Sequence, residues 1–199
     1  MLFPGCSFRV PSKGKELFLT FDDGPIPEVT PQVLDLLGRY GIQATFFMVG
    51  DNARKYPELV EEVRRRGHDI GNHTMHHLQG AKVSTRRYLR DVTEAEELLE
   101  SNLFRPPHGW LRPRQAKALR RRYRIVMYDL VSRDYSRKMT AEQVRDNVLN
   151  LARPGSIIVF HDSLKSQPRL FKALTESIEG LRERGYTFGK LSSYFTENK

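Results

Sequence analysis

The chain has 199 residues, which is enough for one domain with a full hydrophobic core. Hydrophobic residues make up 39% and charged residues 29%, as is usual for a globular protein, and a single cysteine excludes an internal disulfide. No apolar run approaches the roughly 18 residues of a membrane-spanning helix, so we expect no transmembrane segment. The first residues lack the apolar stretch of a signal peptide, which leaves the cytoplasm, or an extracytoplasmic space if a leader has been removed.

The net charge of +9 comes from 33 Lys and Arg against 24 Asp and Glu. Such an excess favours an anionic partner, for example nucleic acid, a membrane surface or an acidic polymer. The basic residues are scattered, and the runs at 64–66 and 120–122 fall in helical segments, where a solvated face explains them. No aromatic residues are interleaved with them as in single-strand binders, so we expect no nucleic-acid partner.

Short apolar runs alternate with longer segments of helical period along the chain. Strands are predicted at residues 16–21, 44–49, 68–72, 103–105, 124–130, 156–160 and 187–189. Helices are predicted at residues 29–40, 52–66, 84–100, 113–123, 141–152 and 168–184. Prolines lie near four helix starts, and glycines follow three helices as stop signals, at positions Pro31, Pro57, Pro113, Pro168, Gly41, Gly67 and Gly185. Seven strands alternating with six helices predict a parallel α/β sheet.

The polar residues after the strands distinguish a barrel from an open sheet. An open sheet gathers functional residues at one switch point, whereas a barrel collects them from many strand ends. Here such residues follow nearly every strand, which favours a distorted (β/α)₇ barrel. No linker or repeat is visible, so we predict one catalytic domain at residues 16–199, preceded by an N-terminal extension at residues 1–15.

Two adjacent carboxylates, Asp22 and Asp23, lie at a predicted strand end in the run TFDDGP. Like charges at this separation repel each other unless a cation or a proton-transfer role separates their tasks. A solvated turn would also accommodate Asp, Gly and Pro. The pair alone is therefore as consistent with a solvated turn as with a functional site.

Three histidines follow the strand predicted at residues 68–72, in the run GNHTMHH. His73 and His77 are four residues apart, so on a helical turn both imidazoles would project the same way and hold one ion. His76 does not share that spacing, and we prefer His77 as the ligand. With Asp23 these residues form a three-ligand set, as in catalytic zinc sites with an open position.

An Asp-His-His set also suits non-haem iron oxygenases, so the ligands alone do not fix the reaction. The second carboxylate, Asp22, favours hydrolysis, because a free carboxylate beside a metal can act as general base on water. In FRPPHG, Arg105 can pair with that base, and the backbone N–H of His108 can face an oxyanion. In IIVFHDS the strand ends on His161, a suitable general acid for an amine leaving group.

Together these runs resemble the polysaccharide deacetylase family, carbohydrate esterase family four, over about residues 16–190. The resemblance implies a distorted (β/α)₇ barrel with one divalent metal, often zinc and sometimes cobalt or nickel. It implies Asp23, His73 and His77 as metal ligands, with Asp22 as general base and His161 as general acid. It further implies that Arg105 orients Asp22, that the His108 amide stabilises the oxyanion, and that Tyr135 and Val159 form a small pocket for the acetyl methyl group.

The chain departs from the family pattern at two positions. The family usually has tyrosine where this chain has His108, which keeps the backbone N–H and changes the side chain. The fourth motif is usually Asp-x-x-Asp-Trp, and here Val131 stands at its first aspartate. Since that aspartate orients the acid histidine in the family, His161 needs another partner, with Asp134 as first candidate and Asp129 as the alternative.

From the residues and the resemblance we expect a metal-dependent hydrolase that removes N-acetyl groups from N-acetylglucosamine-type units of a saccharide. The substrate would be a cell-wall or other acetylated polymer. The main alternative is an O-acetyl esterase on the same scaffold, because an alkoxide needs less help from an acid than an amine does. A metal-bearing but inactive saccharide-binding protein is a further alternative, which the presence of both Asp22 and His161 disfavours.

Overall fold

Parallel strands form one curled sheet in the computed structural model, which describes residues 5–11 and 14–197. Within these residues the strands are β1 (Cys6–Ser7), β2 (Glu16–Asp22), β3 (Thr45–Met48), β4 (Asp69–Asn72), β5 (Leu103–Phe104), β6 (Arg124–Val126), β7 (Leu130–Val131), β8 (Ile157–His161) and β9 (Thr187–Gly189). Their order is β1-β6-β5-β4-β3-β2-β8-β7, and β9 pairs with the start of β2. The predicted barrel class is confirmed as a curled parallel half-barrel in a single α/β domain.

Helices connect the strands as in other βα folds. The described residues form α1 (Thr30–Arg39), α2 (Gly50–Lys55), α3 (Pro57–Arg65), α4 (Thr85–Leu99), α5 (Pro113–Leu119), α6 (Ala141–Leu151), α7 (Gln167–Glu183) and α8 (Leu191–Glu197), with short 3₁₀ turns at Gly80–Lys82 and Pro107–Gly109. A proline lies in the first turn of α1, α3, α5 and α7, as predicted. None of the described helices is both long and apolar enough to cross a membrane.

Several predicted elements are divided in the structure. The strand predicted at 124–130 breaks into β6 and β7, with Tyr128 between them. The helix predicted at 52–66 breaks at Tyr56, because the residue before a proline is excluded from the helical region; Tyr56 has φ −132° and ψ 59°. Neither α8 nor β1 was predicted; Cys6 of β1 is buried, and the backbone of this strand pairs with β6. The boundary at residue 16 stays a prediction.

The side chains of β2 alternate between two environments, as the period of a strand requires. Leu17, Leu19 and Phe21 belong to the large apolar cluster shared with the surrounding helices. Phe18 belongs instead to a second cluster with residues of β3, β6, β8 and α8. Since Thr20 and Asp22 follow on the same face as Phe18, this alternation turns Asp22 toward the inside of the half-barrel, at the carboxyl end of β2.

Candidate active site

A cavity of about 340 Å³ opens at the carboxyl ends of the strands. Its lining residues are Asp22, Asp23, His73, His77, His108, Gly109, Tyr128, Val131, Tyr135, Val159, His161 and Lys165. Eight of the ten predicted site residues are among them. The other two, Arg105 and Asp134, are fully buried behind the lining, where each contacts one of its members.

Two strands in register bring the candidate base and acid to the same edge. Asp22 and His161 are register partners in the parallel pair β2–β8. Along β8, Ile158 and Phe160 join the outer apolar cluster, so Val159 and His161 face the cavity. The alternation of the strand therefore places Val159 and His161 on the same face.

Arg105 is completely buried beneath Asp22. Its Nη1 donates to Asp22 Oδ1 at 2.6 Å and to the Thr20 hydroxyl at 2.7 Å. The guanidinium carbon also lies 4.1 Å from the centroid of the Phe47 ring. Nε and Nη2 donate to the carbonyls of Val126 and Met127, at 3.2 and 3.0 Å. A buried charge requires such complete pairing, and here it fixes the position of the Asp22 carboxylate.

The predicted ligands Asp23, His73 and His77 each offer one atom within 4.8 Å of the others. Asp23 Oδ1 lies 3.2 Å from His77 Nε2 and 3.8 Å from His73 Nε2. His73 Nδ1 donates to the Arg105 carbonyl at 2.8 Å, so its proton is on Nδ1 and Nε2 keeps a free lone pair. One carboxylate and two imidazoles converging in this way fit a divalent metal such as zinc.

The electrostatics agree with this donor set, since ligands must be deprotonated to bind a metal. Burial lowers the pKa of His73 to about 4, so its imidazole is neutral at neutral pH. Burial would raise the pKa of Asp23, but the hydrogen bond from His77 and the charges of the neighbouring histidines hold it below its usual range. Asp23 is therefore ionised.

The predicted helical turn between the two histidines is wrong, because residues 73–79 form an irregular loop after β4. Thr74 and His77 both have positive φ, at 65° and 52°, and Asp23 has φ 84°. For residues other than glycine these are uncommon values that the surroundings must hold in place. The unusual loop backbone thus brings the two histidines of the candidate metal group close to each other.

The sequence analysis did not identify Asp91, a buried residue of α4 that holds this loop. Its Oδ2 accepts from the backbone N–H groups of Met75 and His76 at 3.0 and 3.1 Å, and its Oδ1 lies 2.6 Å from His76 Nδ1. His76, which the sequence left without a role, is therefore part of the support. The sequence signal was weak because Asp91 lies in a charged run that resembles a solvated helix face.

Asp162 follows His161 directly, and the sequence assigned it no role of its own. Its Oδ1 accepts from the Gly24 N–H at 3.1 Å and its Oδ2 from the Thr30 hydroxyl at 2.6 Å, which ties the loop after β2 to β8. Burial raises the pKa of Asp162 to about 7. A Cβ at Gly24 would lie 2.0 Å from Asp162 Oδ2, so this contact requires glycine.

His161 has a carboxylate partner despite the valine in the fourth motif. Its Nδ1 lies 2.8 Å from Asp134 Oδ1, and its backbone N–H donates to Asp134 Oδ2 at 2.8 Å. Burial alone would lower the pKa of His161, but Asp134, with smaller contributions from Asp22 and Asp23, raises it to about 9. The imidazole is therefore protonated at neutral pH.

The other candidate partner, Asp129, lies elsewhere. It accepts from the Ser156 hydroxyl and the Ile157 N–H, both at 3.0 Å, at the start of β8 rather than at its end. Its role is thus to fix the loop before that strand.

The remaining lining residues bound a small space beside His161. Its ring lies 5.0 Å from that of Tyr135, centroid to centroid. The sequence did not identify Tyr128, which faces the cavity because the strand breaks there; a Cβ at Gly109 would lie 2.4 Å from its hydroxyl. His108 has φ 61°, and no described residue accepts a hydrogen bond from its backbone N–H.

Comparisons with known proteins agree with this architecture. The polysaccharide deacetylase family model matches residues 9–126. A peptidoglycan-N-acetylglucosamine deacetylase of Bacillus cereus is 34% identical over 194 residues, covering 94% of this chain and 91% of that protein. A chitooligosaccharide deacetylase of Rhizobium leguminosarum bv. trifolii is 30% identical, covering 90% and 92%.

Solved structures of carbohydrate deacetylases have the same half-barrel. One is a peptidoglycan N-acetylglucosamine deacetylase in complex with 4-naphthalen-1-yl-N-oxidanyl-benzamide, with a TM-score of 0.90, 34% identity, and coverage of 96% of this chain and 92% of that chain. Another is the peptidoglycan deacetylase PdaC from Bacillus subtilis, with a TM-score of 0.82, 28% identity and coverage of 94% and 93%.

Fold and site together define an enzyme of the amidohydrolase class, acting on carbon–nitrogen bonds other than peptide bonds. The chain belongs to the polysaccharide deacetylase family, as its motifs predicted.

Proposed function

We propose that the chain is a metal-dependent hydrolase that removes N-acetyl groups from N-acetylglucosamine-type units of a saccharide. The observation that carries the proposal is that the Asp23–His73–His77 group lines the same cavity as Asp22 and His161. The names of the relatives support it, since they are deacetylases of peptidoglycan and of chitooligosaccharides.

Asp23, His73 and His77 would hold the divalent metal, with zinc as the first candidate and cobalt or nickel as alternatives. When bound, such an ion supplies a Lewis acid that polarises a carbonyl and lowers the pKa of water. The neutral state of His73 and the ionised state of Asp23 support this assignment, because neither ligand has to lose a proton at neutral pH.

Asp22 would take one proton from the attacking water, whose oxygen forms the new bond to the acetyl carbon. Arg105 is a positioning residue in this scheme, because its bond to Oδ1 leaves the second oxygen of Asp22 for the proton. The backbone N–H of His108 would donate to the carbonyl oxygen as negative charge develops there. Tyr135 and Val159 would contact the methyl group.

His161 would donate its proton to the amine nitrogen as the carbon–nitrogen bond breaks, so that water and amide give acetate and a free amine. Its hydrogen bond to Asp134 supports this role, since the imidazole is held protonated and in one orientation. The same observation favours N-acetyl over O-acetyl substrates, because an amine leaves poorly without a proton whereas an alkoxide is less demanding.

Acetate release from matched N-acetyl and O-acetyl oligosaccharides tests the proposal. We expect release from the N-acetyl substrate that stops with a chelator and returns with Zn²⁺, Co²⁺ or Ni²⁺. His161→Ala should reduce turnover of the amide by about 10²–10⁴-fold and that of the ester by less. Equal losses on both substrates would contradict the acid role, and chelator-resistant release would contradict the metal.

A further inference from the structure

The valine that departs from the family pattern in the fourth motif faces the cavity. Val131 ends β7, and the residue before it, Leu130, belongs to the large apolar cluster shared with the helices. Since side chains alternate along a strand, Val131 lies on the opposite face, where it lines the cavity. The Asn147 side chain donates to the Val131 carbonyl at 2.7 Å, which fixes the backbone at this point.

Val131 has a second valine beside it on the adjacent strand. Val131 and Val159 are register partners in the parallel pair β7–β8, so their side chains lie side by side on one face. We refer to these two residues as the aliphatic wall. Tyr135 and His161 line the same cavity, with their ring centroids 5.0 Å apart. The aliphatic wall therefore borders the space next to the proposed acid.

The polar groups behind the aliphatic wall are bonded to one another. Asp134 is fully buried and accepts from the backbone N–H of His161. The backbone N–H of Ser132 donates to the Val159 carbonyl at 2.9 Å, and the Ser132 hydroxyl accepts from the Asp134 N–H at 3.3 Å. Two valine side chains offer a bound molecule dispersion contacts without a hydrogen bond. A polar substituent held against them loses its bonds to water and gains none in return.

We propose that Val131 is a specificity-determining residue that restricts the reaction to apolar acyl groups. The proposal rests on the proposed function and names the class of acyl group that the same site accepts. Val131 and Val159 contact the carbon next to the acyl carbonyl. A methyl group is favourable there, whereas a hydroxyl on the same carbon is buried without a partner. The aspartate that is usual at this position of the family pattern would give that hydroxyl an acceptor, and valine does not.

An N-glycolyl group tests the polarity of the aliphatic wall, because it is an N-acetyl group with a hydroxyl on the methyl carbon. We expect the wild-type kcat/KM to be about 10- to 100-fold lower for N-glycolyl than for N-acetyl units. Val131→Thr replaces a methyl by a hydroxyl at nearly equal volume. Because it supplies a partner, this variant should reduce the N-acetyl to N-glycolyl ratio by about 2- to 10-fold.

An N-propionyl group tests the size of the same space. Val131→Ala removes two methyl groups from the aliphatic wall and makes room for a longer chain. It should raise kcat/KM for N-propionyl relative to N-acetyl units by about 10-fold, which is the usual worth of one methylene in a pocket. Val83→Thr and Val83→Ala are the matched controls, since Val83 is also half-buried but packs on a different apolar cluster, outside the cavity lining.

The experiment measures release of the free amine from glucosamine oligosaccharides of equal length that carry N-acetyl, N-glycolyl or N-propionyl groups. Each ratio is compared between wild type and variant, so the intrinsic reactivities of the three amides cancel. A ratio taken within one variant is also independent of the folded fraction of that variant. The Val83 variants should leave both ratios at their wild-type values.

The outcomes separate this proposal from the proposed function. If the wild type hydrolyses the N-glycolyl and N-acetyl substrates with equal kcat/KM, the aliphatic wall does not select against a polar acyl group, although the deacetylase function stands. If the Val131 variants change neither ratio, or the Val83 variants change both as much, Val131 does not determine the specificity. Hydrolysis of none of the three substrates by the wild type would overturn the proposed function and this proposal with it.

Discussion

The candidate site has a half that is carried on strands and a half that is carried on loops. Asp22 and His161 sit at the ends of β2 and β8, in register and bound by the regular hydrogen bonds of the sheet. Asp23 and His77 lie beyond the strands with positive φ. The sheet itself fixes the first half, whereas the second depends on side chains that bind the loop backbone.

Two buried acidic residues are among those side chains. Asp91 binds the loop that carries His77, and Asp162 binds the loop that carries Asp23. The comparison teaches that the proposed proton-transfer groups and the proposed metal ligands are held in place by different interactions. Substitutions should therefore separate turnover from metal affinity.

The largest expected effect is on the strand-borne half. Asp22→Asn removes the proposed base and should lower kcat by about 10²–10⁴-fold. The metal should remain, because Asp23, His73 and His77 are unchanged. Acetate release with metal content measured on the same sample checks both expectations. If Asp22→Asn lost its metal along with its activity, the two halves would not be separable.

The next largest effect is on the loop-borne half. His77→Ala removes a proposed ligand and should weaken metal binding by more than the 10- to 100-fold that loss of a supporting group costs. Titration with Zn²⁺ against a competing chelator measures this. His76→Ala is the matched comparison and should retain more affinity. The opposite order would assign the metal to His76.

A smaller effect is expected at the support beneath the loop. Asp91→Asn keeps the shape of the side chain and removes the charge that accepts from two backbone N–H groups. Metal affinity should fall about 10-fold while kcat of the fully loaded enzyme changes little. Glu97→Gln, an exposed change on the same helix, serves as control. Equal affinity in both variants would leave Asp91 with no role in the metal site.

The smallest effect is a shift in pH dependence. Because the pKa of His161 is raised to about 9, the protonated acid is present at neutral pH and is lost as the pH rises through 9. Asp134→Asn removes the partner that raises this pKa, so the alkaline limb of kcat/KM should move to lower pH. A pH profile of wild type and variant measures the shift, and coincident alkaline limbs would exclude Asp134 as the cause.

The difference between strands and loops also determined which features of the site could be predicted from the sequence. Site residues on strands are predictable, because side chains alternate along a strand. In ELFLTFD and IIVFH this alternation already turns Asp22, Val159 and His161 to the cavity face. The motifs also predicted the grouping of Asp23, His73 and His77, which the structure brings together. The path of the chain between His73 and His77 was not predictable in this way, since positive φ at Thr74 and His77 follows from tertiary contacts.

Residues that support the site were harder to find. Asp91 lies 14 positions after His77 in a polar helical segment, and its burial results from packing of α4 on the loop. Tyr128 reaches the cavity because a predicted strand is broken there. Asp134 was proposed only as a substitute for a missing family residue, and its contact with His161 required the geometry of the loop after β7.

The position of β2 has a consequence for amide exchange. Residues Thr20–Asp22 pair with β3 on one edge and with β8 on the other, and the first half of β2 also pairs with β9. No part of this strand can separate without opening several neighbours. We therefore expect the amides of Thr20 and Phe21 to exchange with solvent only through global unfolding, while those of residues 74–78 exchange through local opening. The carboxylate that performs the proposed chemistry would then persist in place as long as the protein stays folded.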